Sequence, residues 1–304
     1  MTGDFAGPAP RQRILVIHNP TAGSSARTKL RRFVELLSED GAEVAVRATA
    51  GPGDATAIAA AAGDGKWDAI VAAGGDGTVN EIVNGLGTNS PSLGILPLGT
   101  ANVLALELGL PVAAPDAARL IARGGVRQLY FAAIEGRRFV MMAGVGFDAR
   151  VVDVVASSGF KQWFGKLAYV WQTVTGFSRL SRARYSLDID GVAFTAASAV
   201  IANGRYCGGR YICAPDARLG SPDLHVCLFA GNGGWNTLRY AAGLILGRLH
   251  RFSDVRIVVG RSIRITGDAG EPVQADGDIV ARLPVHITAD GARFGVICPP
   301  EVRR

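Results

Sequence analysis

Gly74-Gly75-Asp76-Gly77-Thr78 stands directly after the apolar run Asp68–Ala73 (DAIVAA) and directly before Val79–Leu86 (VNEIVNGL). The first run has the length and composition of a buried strand, and the second has helical spacing. Glycines at such a junction let the backbone bend sharply and approach a ligand, because no Cβ intervenes. The opening amides of the helix carry partial positive charge, so a phosphate is their natural ligand. Asp76 adds a carboxylate where an anion would bind. That is unfavourable unless a cation such as Mg²⁺ or a hydroxyl proton accompanies the phosphate. A tight strand-to-helix connection with no ligand uses the same residue types, so the stretch is weighed with its neighbours.

Two further loops share its chemistry. Asn19-Pro20-Thr21-Ala22-Gly23 follows the apolar Ile14–Ile17, and a helical pattern runs on from Lys29 to Leu37. Leu96-Pro97-Leu98-Gly99-Thr100-Ala101-Asn102 follows the strand-like Leu93–Ile95. In an open parallel sheet such loops gather at the carboxyl ends of the strands, where ligands bind. Strands are expected at Ile14–His18, Glu43–Arg47, Asp68–Ala73 and Ser92–Ile95, alternating with helices at Arg27–Ser38, Asp54–Ala62, Thr78–Leu86, Ala101–Leu108 and Pro115–Arg123. Past Gly124-Gly125 the pattern changes to short strand-like runs, among them Gln128–Ile134, Arg138–Ala143 and Val192–Ile201, separated by turns such as Asp190-Gly191. That reads as an antiparallel β domain.

GGDGTVNEIVNGL together with LGILPLGTANVLA resembles the diacylglycerol kinase catalytic domain, and in particular the soluble bacterial lipid kinases related to diacylglycerol and sphingosine kinases. The likeness runs from Ile14 to about Pro300. NPTAG, GGDGT, LGTAN, Gly144-Val145-Gly146-Phe147-Asp148 and Ala275-Asp276-Gly277-Asp278 occur in the family's order and approximate spacing. It implies an α/β fold in two parts. The first is an N-terminal three-layer parallel-sheet nucleotide-binding domain of the NAD kinase/diacylglycerol kinase kind, over 11–132 and completed by 284–300. The second is a C-terminal antiparallel β-sandwich domain for the lipid substrate, over 133–283. It also implies ATP and Mg²⁺ as cofactors and transfer of the γ-phosphoryl group to a lipid hydroxyl, foremost that of diacylglycerol. A sphingoid base, ceramide or phosphatidylglycerol are alternative acceptors. A soluble-substrate kinase of the NAD kinase kind and a non-catalytic nucleotide or lipid sensor are the other readings.

The resemblance also assigns roles. The phosphate cradle falls on Asn19, Pro20, Thr21, Ala22 and Gly23, on Gly74, Gly75, Asp76, Gly77, Thr78, Val79 and Asn80, and on Thr100. Thr49 is either a further nucleotide contact or an ordinary strand-end threonine. The family's proton acceptor is the last acid of an acid-Gly-Glu text. Here that position holds Asp278, one methylene shorter, with Asp276 as the other candidate. Asp-Gly between two β runs is also a strong hairpin signal, and a hairpin and a base are compatible. Asp148 matches a second-domain aspartate facing the same chemistry. Relatives carry a structural Mg²⁺ turn after Ala214-Pro215. In this chain Ser221 stands where its aspartate is expected, leaving Asp216 and Asp223 as the carboxylates of a degenerate site.

Composition excludes several classes. The 304 residues, 48% hydrophobic and 19% charged, suit a globular protein with a sizeable core. No apolar run reaches the ~18 residues that span a bilayer, and MTGDFAGPAPRQR has no signal-peptide core. Cys207, Cys213, Cys227 and Cys298 form no CxxC pair and read as reduced, buried thiols. No Walker loop, GxGxxG, HExxH or GxSxG occurs, and the histidines are scattered.

The net charge is +6, and its placement is uneven. Ser157–Arg184 carries Lys161, Lys166, Arg179, Arg182 and Arg184 among aromatic residues and no acid, and Trp235–Arg251 repeats the theme. Such stretches fit the edge of an anionic membrane or, equally, amphipathic helices packed on a core. Nucleic acid is not expected, because no recognition motif accompanies the charge. The expected partner is a lipid at a membrane surface, with peripheral anionic association. The expected location is the cytoplasm, at the inner face of the membrane. The oligomeric state is left open, a homodimer included.

Overall fold

A computed structural model describes residues 9–20, 24–63, 65–87, 89–146 and 184–300. The chain divides into two units, Met1–Tyr130 with Ala292–Arg304, and Phe131–Gly291.

In the first unit β1 (Arg13–His18), β2 (Glu43–Ala48), β3 (Ala69–Gly74) and β4 (Ser92–Pro97) form a parallel sheet in the order β2-β1-β3-β4. The final strand, β18 (Val285–Ile297), adds in parallel beside β4, with Val296 opposite Leu93. β1, β3 and β4 read as apolar runs because both their faces are buried; every residue of β3 is buried. On one face α1 (Ser24–Glu39) and α5 (Ala114–Arg123) set Leu30, Phe33, Leu37, Ala118 and Ile121 against Ile14, Val16, Val71 and Leu96. α2 (Asp54–Ala61) and α3 (Asp76–Gly85) pack together and against β1 and β3, giving the third layer. The outermost strand, β2, has only half-buried and exposed positions, which suits a sheet edge.

The helix expected at Thr78–Leu86 starts two residues earlier, at Asp76. The one expected at Ala101–Leu108 is the shorter α4 (Val103–Glu107), because Asn102 adopts a left-handed conformation with φ 46°. Asparagine tolerates that region better than most residues.

The second unit is an antiparallel sandwich. One sheet runs β14 (Val255–Gly260), β13 (Leu224–Phe229), β10 (Ser198–Ala202), β7 (Met142–Val145), β16 (Pro272–Ala275) and β17 (Asp278–Arg282). The facing layer pairs the start of β18 with β15 (Ser262–Thr266), then β8 (Tyr185–Ile189) and β9 (Val192–Ala196). β5 (Val126–Ile134) pairs β6 (Arg137–Phe139) in a hairpin. Val145, Ile201, Val226 and Val273 from one layer meet Leu187, Ile263, Ile265 and Ile287 from the other. A short ribbon, β11 (Tyr206–Cys207) with β12 (Tyr211–Ile212), stands apart.

Two expected strands prove to be pairs. Arg138–Ala143 divides into β6 and β7, and Val192–Ile201 divides into β9 and β10, because in each case the chain leaves one layer of the sandwich for the other. Composition does not show such a corner, since Phe139–Ala143 and Ala196–Ile201 stay apolar or small through it. Outside the sandwich, α6 (Gly234–Ile245) and a 3-10 turn (Leu249–Arg251) cover the outer face of β13 and β14 through Tyr240, Leu244, Leu249 and Phe252. Arg239 pairs with Asp254, and the Tyr240 hydroxyl donates to the same carboxylate at 2.5 Å. The four cysteines are buried thiols.

Candidate active site

The carboxyl ends of four strands are tied together by backbone bonds. Thr49 N–H donates to His18 C=O at 2.9 Å, Asn19 N–H to Ala73 C=O at 3.3 Å, and Leu98 N–H to Gly74 C=O at 2.9 Å. Asn19, Thr49, Gly74 and the Leu98–Asn102 loop therefore line one rim of the sheet. Pro20 is at that rim too. Thr21, Ala22, Gly23 and Asp148 lie outside the described residues, as does the basic aromatic stretch 157–183.

The glycines of the central motif differ in their reasons. A Cβ on Gly74 would overlap the Thr78 side chain. One on Gly99 would lie 2.5 Å from Gly75 Cα and 2.8 Å from Asn102 Oδ1. The Gly74–Thr78 and Leu98–Asn102 loops thus touch backbone to backbone, and Asn102 locks the second by accepting from Gly99 N–H at 3.0 Å and donating to Gly99 C=O at 2.7 Å. Gly77 has no such constraint. It has no positive φ, it is the second residue of α3, and a Cβ there meets no protein atom within 4 Å.

Asp76 has a task inside the protein. Its Oδ1 accepts the N–H groups of Val103 and Leu104 at 2.7 and 3.4 Å. These are opening amides of α4, whose own N-cap residue, Asn102, makes no side-chain cap. A carboxylate on orphan helix amides is a strong cap, so Asp76 fastens one loop to the next. The Thr78 and Val79 side chains are buried, and only their backbone can serve a ligand. Asn80 is half-buried with its side-chain oxygen accepting from Asn84, and Thr100 is exposed.

A residue that motif reasoning passes over joins this rim. Lys29 of α1 donates to Pro97 C=O at 2.8 Å, and its partial burial lowers the ammonium pKa. Ala26, Lys29, Leu30 and Phe33 recur at helical spacing on the stripe facing the sheet. A cation on that stripe was the available signal.

In the second unit Ala275-Asp276-Gly277-Asp278 is a two-residue hairpin. Ala275 pairs with Asp278, and both central residues have positive φ, 48° and 91°, as a type I′ turn requires. Asp276 accepts from Val140 N–H at 2.6 Å, Met141 N–H at 2.9 Å and Met142 N–H at 3.1 Å. These are the amides of the corner between β6 and β7, Met142 being the first residue of β7. Buried Asn203 completes the corner by donating to Val140 C=O at 2.8 Å. A carboxylate whose two oxygens already hold three amide donors is badly placed to receive a proton. Asp278, at the start of β17, is exposed.

The turn expected to hold a structural cation does not fit one. Asp223 Oδ1 accepts from Arg261 at 2.8 Å and Oδ2 from Ser221 Oγ at 2.9 Å, and these donors hold its carboxyl below the usual range. Asp216 is exposed. Among the described residues no three His, Cys, Asp or Glu side chains converge as metal ligands. Asp223 and Ser221 are thus engaged with each other and with Arg261.

Glycine-containing loops at the carboxyl ends of a parallel sheet, one of them opening a helix, with a β sandwich following, fit a phosphoryl-transfer enzyme of the two-domain kind. Comparison with known proteins agrees. Residues 13–134 match the diacylglycerol kinase catalytic domain family, and residues 141–298 match the YegS C-terminal NAD kinase beta sandwich-like domain. A probable lipid kinase YegS-like protein of Pseudomonas aeruginosa is 34% identical over 71% of each chain. A diacylglycerol kinase of Bacillus subtilis is 29% identical over 95% of this chain and 97% of its own. The crystal structure of a putative diacylglycerol kinase from Bacillus anthracis superposes with a TM-score of 0.81 at 25% identity, covering 98% of this chain and 99% of that one. The chain belongs to the family of lipid kinases that join a diacylglycerol kinase catalytic domain to a YegS-type β-sandwich domain.

Proposed function

We propose that this lipid kinase transfers the γ-phosphoryl group of Mg·ATP to the hydroxyl of diacylglycerol, giving phosphatidic acid. The observation that carries the nucleotide half is Gly77, a helix N-terminal glycine for which the protein's own packing gives no reason. A phosphate laid on the opening amides of α3 gives one. The backbone of Gly74–Asn80 and the rim residues Asn19 and Thr100 bind the phosphates, with Thr49 beside them. Mg²⁺ arrives as part of the substrate, and when bound it neutralises charge on the phosphate oxygens. Asp76 positions the two loops. Asp278 accepts the proton of the lipid hydroxyl, and Asp276 holds its turn. The names of the relatives support diacylglycerol as the acceptor. Action is expected at the inner face of the membrane; no helix among the described residues is long and apolar enough to cross one.

The test is transfer of labelled γ-phosphate to an extracted lipid mixture, with Asp278→Asn beside the parent. A labelled product that co-migrates with phosphatidic acid and is made by the parent alone supports the acceptor and the base. A labelled sphingoid or phosphatidylglycerol product overturns the acceptor. Label in both proteins overturns the base.

A further inference from the structure

Helix α6 is apolar on two faces. Inward, Tyr240 and Leu244 pack on the sheet, and the Arg239–Asp254–Tyr240 cluster fastens the helix down. Outward, Trp235 is 77% exposed, Leu238 56%, Ile245 66% and Leu246 68%. The spacing from 235 to 238 and on to 245 and 246 keeps these side chains on one stripe of the helix and its C-terminal end. Single exposed apolar residues need no explanation, but four large ones on one stripe do.

Charge says what the stripe faces. From Leu224 to Ser253 the chain carries no acid, and Arg248 and Arg251 stand exposed just past the helix. A cationic rim beside an apolar face with a tryptophan is the pattern of a helix lying in an anionic interface: the ring sits at headgroup level and the guanidinium groups meet lipid phosphates. A second copy docked through the same patch would bring its arginines to a stretch that offers no acid from Leu224 to Ser253.

We propose that the solvent face of α6 is the surface by which the enzyme docks on an anionic bilayer. This rests on the reading that the acceptor is drawn from a membrane. Trp235, Leu238, Ile245 and Leu246 enter the interface, and Arg248 and Arg251 supply the salt-dependent part of the attraction.

The experiment is sedimentation of the full chain with phosphatidylcholine vesicles, with and without phosphatidylglycerol. The parent is compared with the double variants Leu238→Asn/Leu246→Asn and Arg248→Gln/Arg251→Gln, all positions being exposed. The expected results are binding of the parent to anionic vesicles, at least a tenfold loss in the leucine variant at an unchanged melting temperature, and a loss in the arginine variant confined to anionic vesicles. A blue shift of the emission assigned to Trp235, absent in Trp235→Phe, supports the same conclusion. A leucine variant that binds like the parent overturns it. So does a parent that ignores vesicles, or a leucine variant that changes only the oligomeric state in light scattering. Transfer to a water-soluble short-chain diacylglycerol is measured separately. Transfer without vesicle binding sinks the docking surface and spares the acceptor. Vesicle binding without transfer to any diacylglycerol does the reverse.

Discussion

Gly77→Ala separates two explanations that most substitutions confound. The built Cβ at this position meets nothing within 4 Å, φ is not positive, and the residue is in the first turn of α3. Alanine is therefore compatible with the native backbone. Replacing a helical glycine by alanine stabilises by about 0.5–1 kcal/mol, which is ~1–4 °C in melting temperature for a domain of this size. A phosphate resting on the α3 amides would meet that methyl group. A displacement of about 1 Å costs on the order of 10²-fold in turnover. The variant is expected to melt at or above the parent's temperature while nucleotide affinity and kcat/KM fall by at least about tenfold, a loss of ~1.4 kcal/mol or more. The assays are differential scanning fluorimetry without nucleotide, calorimetric titration with a non-hydrolysable ATP analogue, and γ-phosphate transfer. Parent-like nucleotide affinity in a well-folded variant would refute the assignment of the phosphates to this helix end.

Gly99→Ala is the counterpart: its methyl group would sit 2.5 Å from Gly75 Cα, so we expect destabilisation of about 1–3 kcal/mol from overpacking together with lost binding, seen in urea melts. Asp276→Asn should destabilise by about 1–3 kcal/mol, since the corner amides of Val140, Met141 and Met142 lose a charged acceptor; Asp278→Asn should melt within about 0.5 kcal/mol of the parent and lose turnover. Equal stability of the two would contradict the division of labour. Burial, helped by the Asp254 carboxylate, pushes the Tyr240 phenol up from 10 to about 12. Its folded pKa is raised, so its contribution is complete below pH 10 and is lost as the pH climbs towards 12. Urea midpoints at pH 9, 10 and 11 should fall more steeply in the parent than in Tyr240→Phe.

The first unit was legible because β1, β3 and β4 are buried on both faces. Ile14–Ile17 and Ala69–Ala73 leave almost no polar residue to confuse the period. Helix starts were less so. Thr78 was expected to open α3 because Asp76 and Gly77 look like loop, yet helical geometry begins with them. The second unit hid its corners. At Ala197 and at Val140–Met141 the chain stays apolar or small while the hydrogen-bond partner changes sheet, and only a long-range pairing records that. The return of β18 beside β4 is equally invisible to periodicity and was implied by the family likeness alone. Lys29 was missed because a lysine on a helix reads as solvated unless its place on the apolar stripe is noticed.

The acids show why motif letters alone under-determine a site. Asp76 and Asp276 both lie in glycine turns whose text reads as chemistry, and both carboxylates hold backbone amides of another segment: Val103 and Leu104 for one, Val140 to Met142 for the other. Each solves a similar problem, since a helix start and a strand corner leave amides short of regular backbone partners, and a nearby carboxylate is a strong, charged acceptor for them. Loss of turnover in Asp76→Ala would therefore follow whether or not Asp76 ever touches a phosphate, because α4 would lose its cap and the Leu98–Asn102 loop its anchor. Asp76→Asn discriminates better. The amide oxygen can still accept from Val103 while the charge is gone, so a variant that keeps its unfolding free energy within about 1 kcal/mol of the parent and still loses its dependence on Mg²⁺ concentration would assign the carboxylate to the cation. A variant that loses stability and activity together would leave Asp76 as the fastening of the two loops.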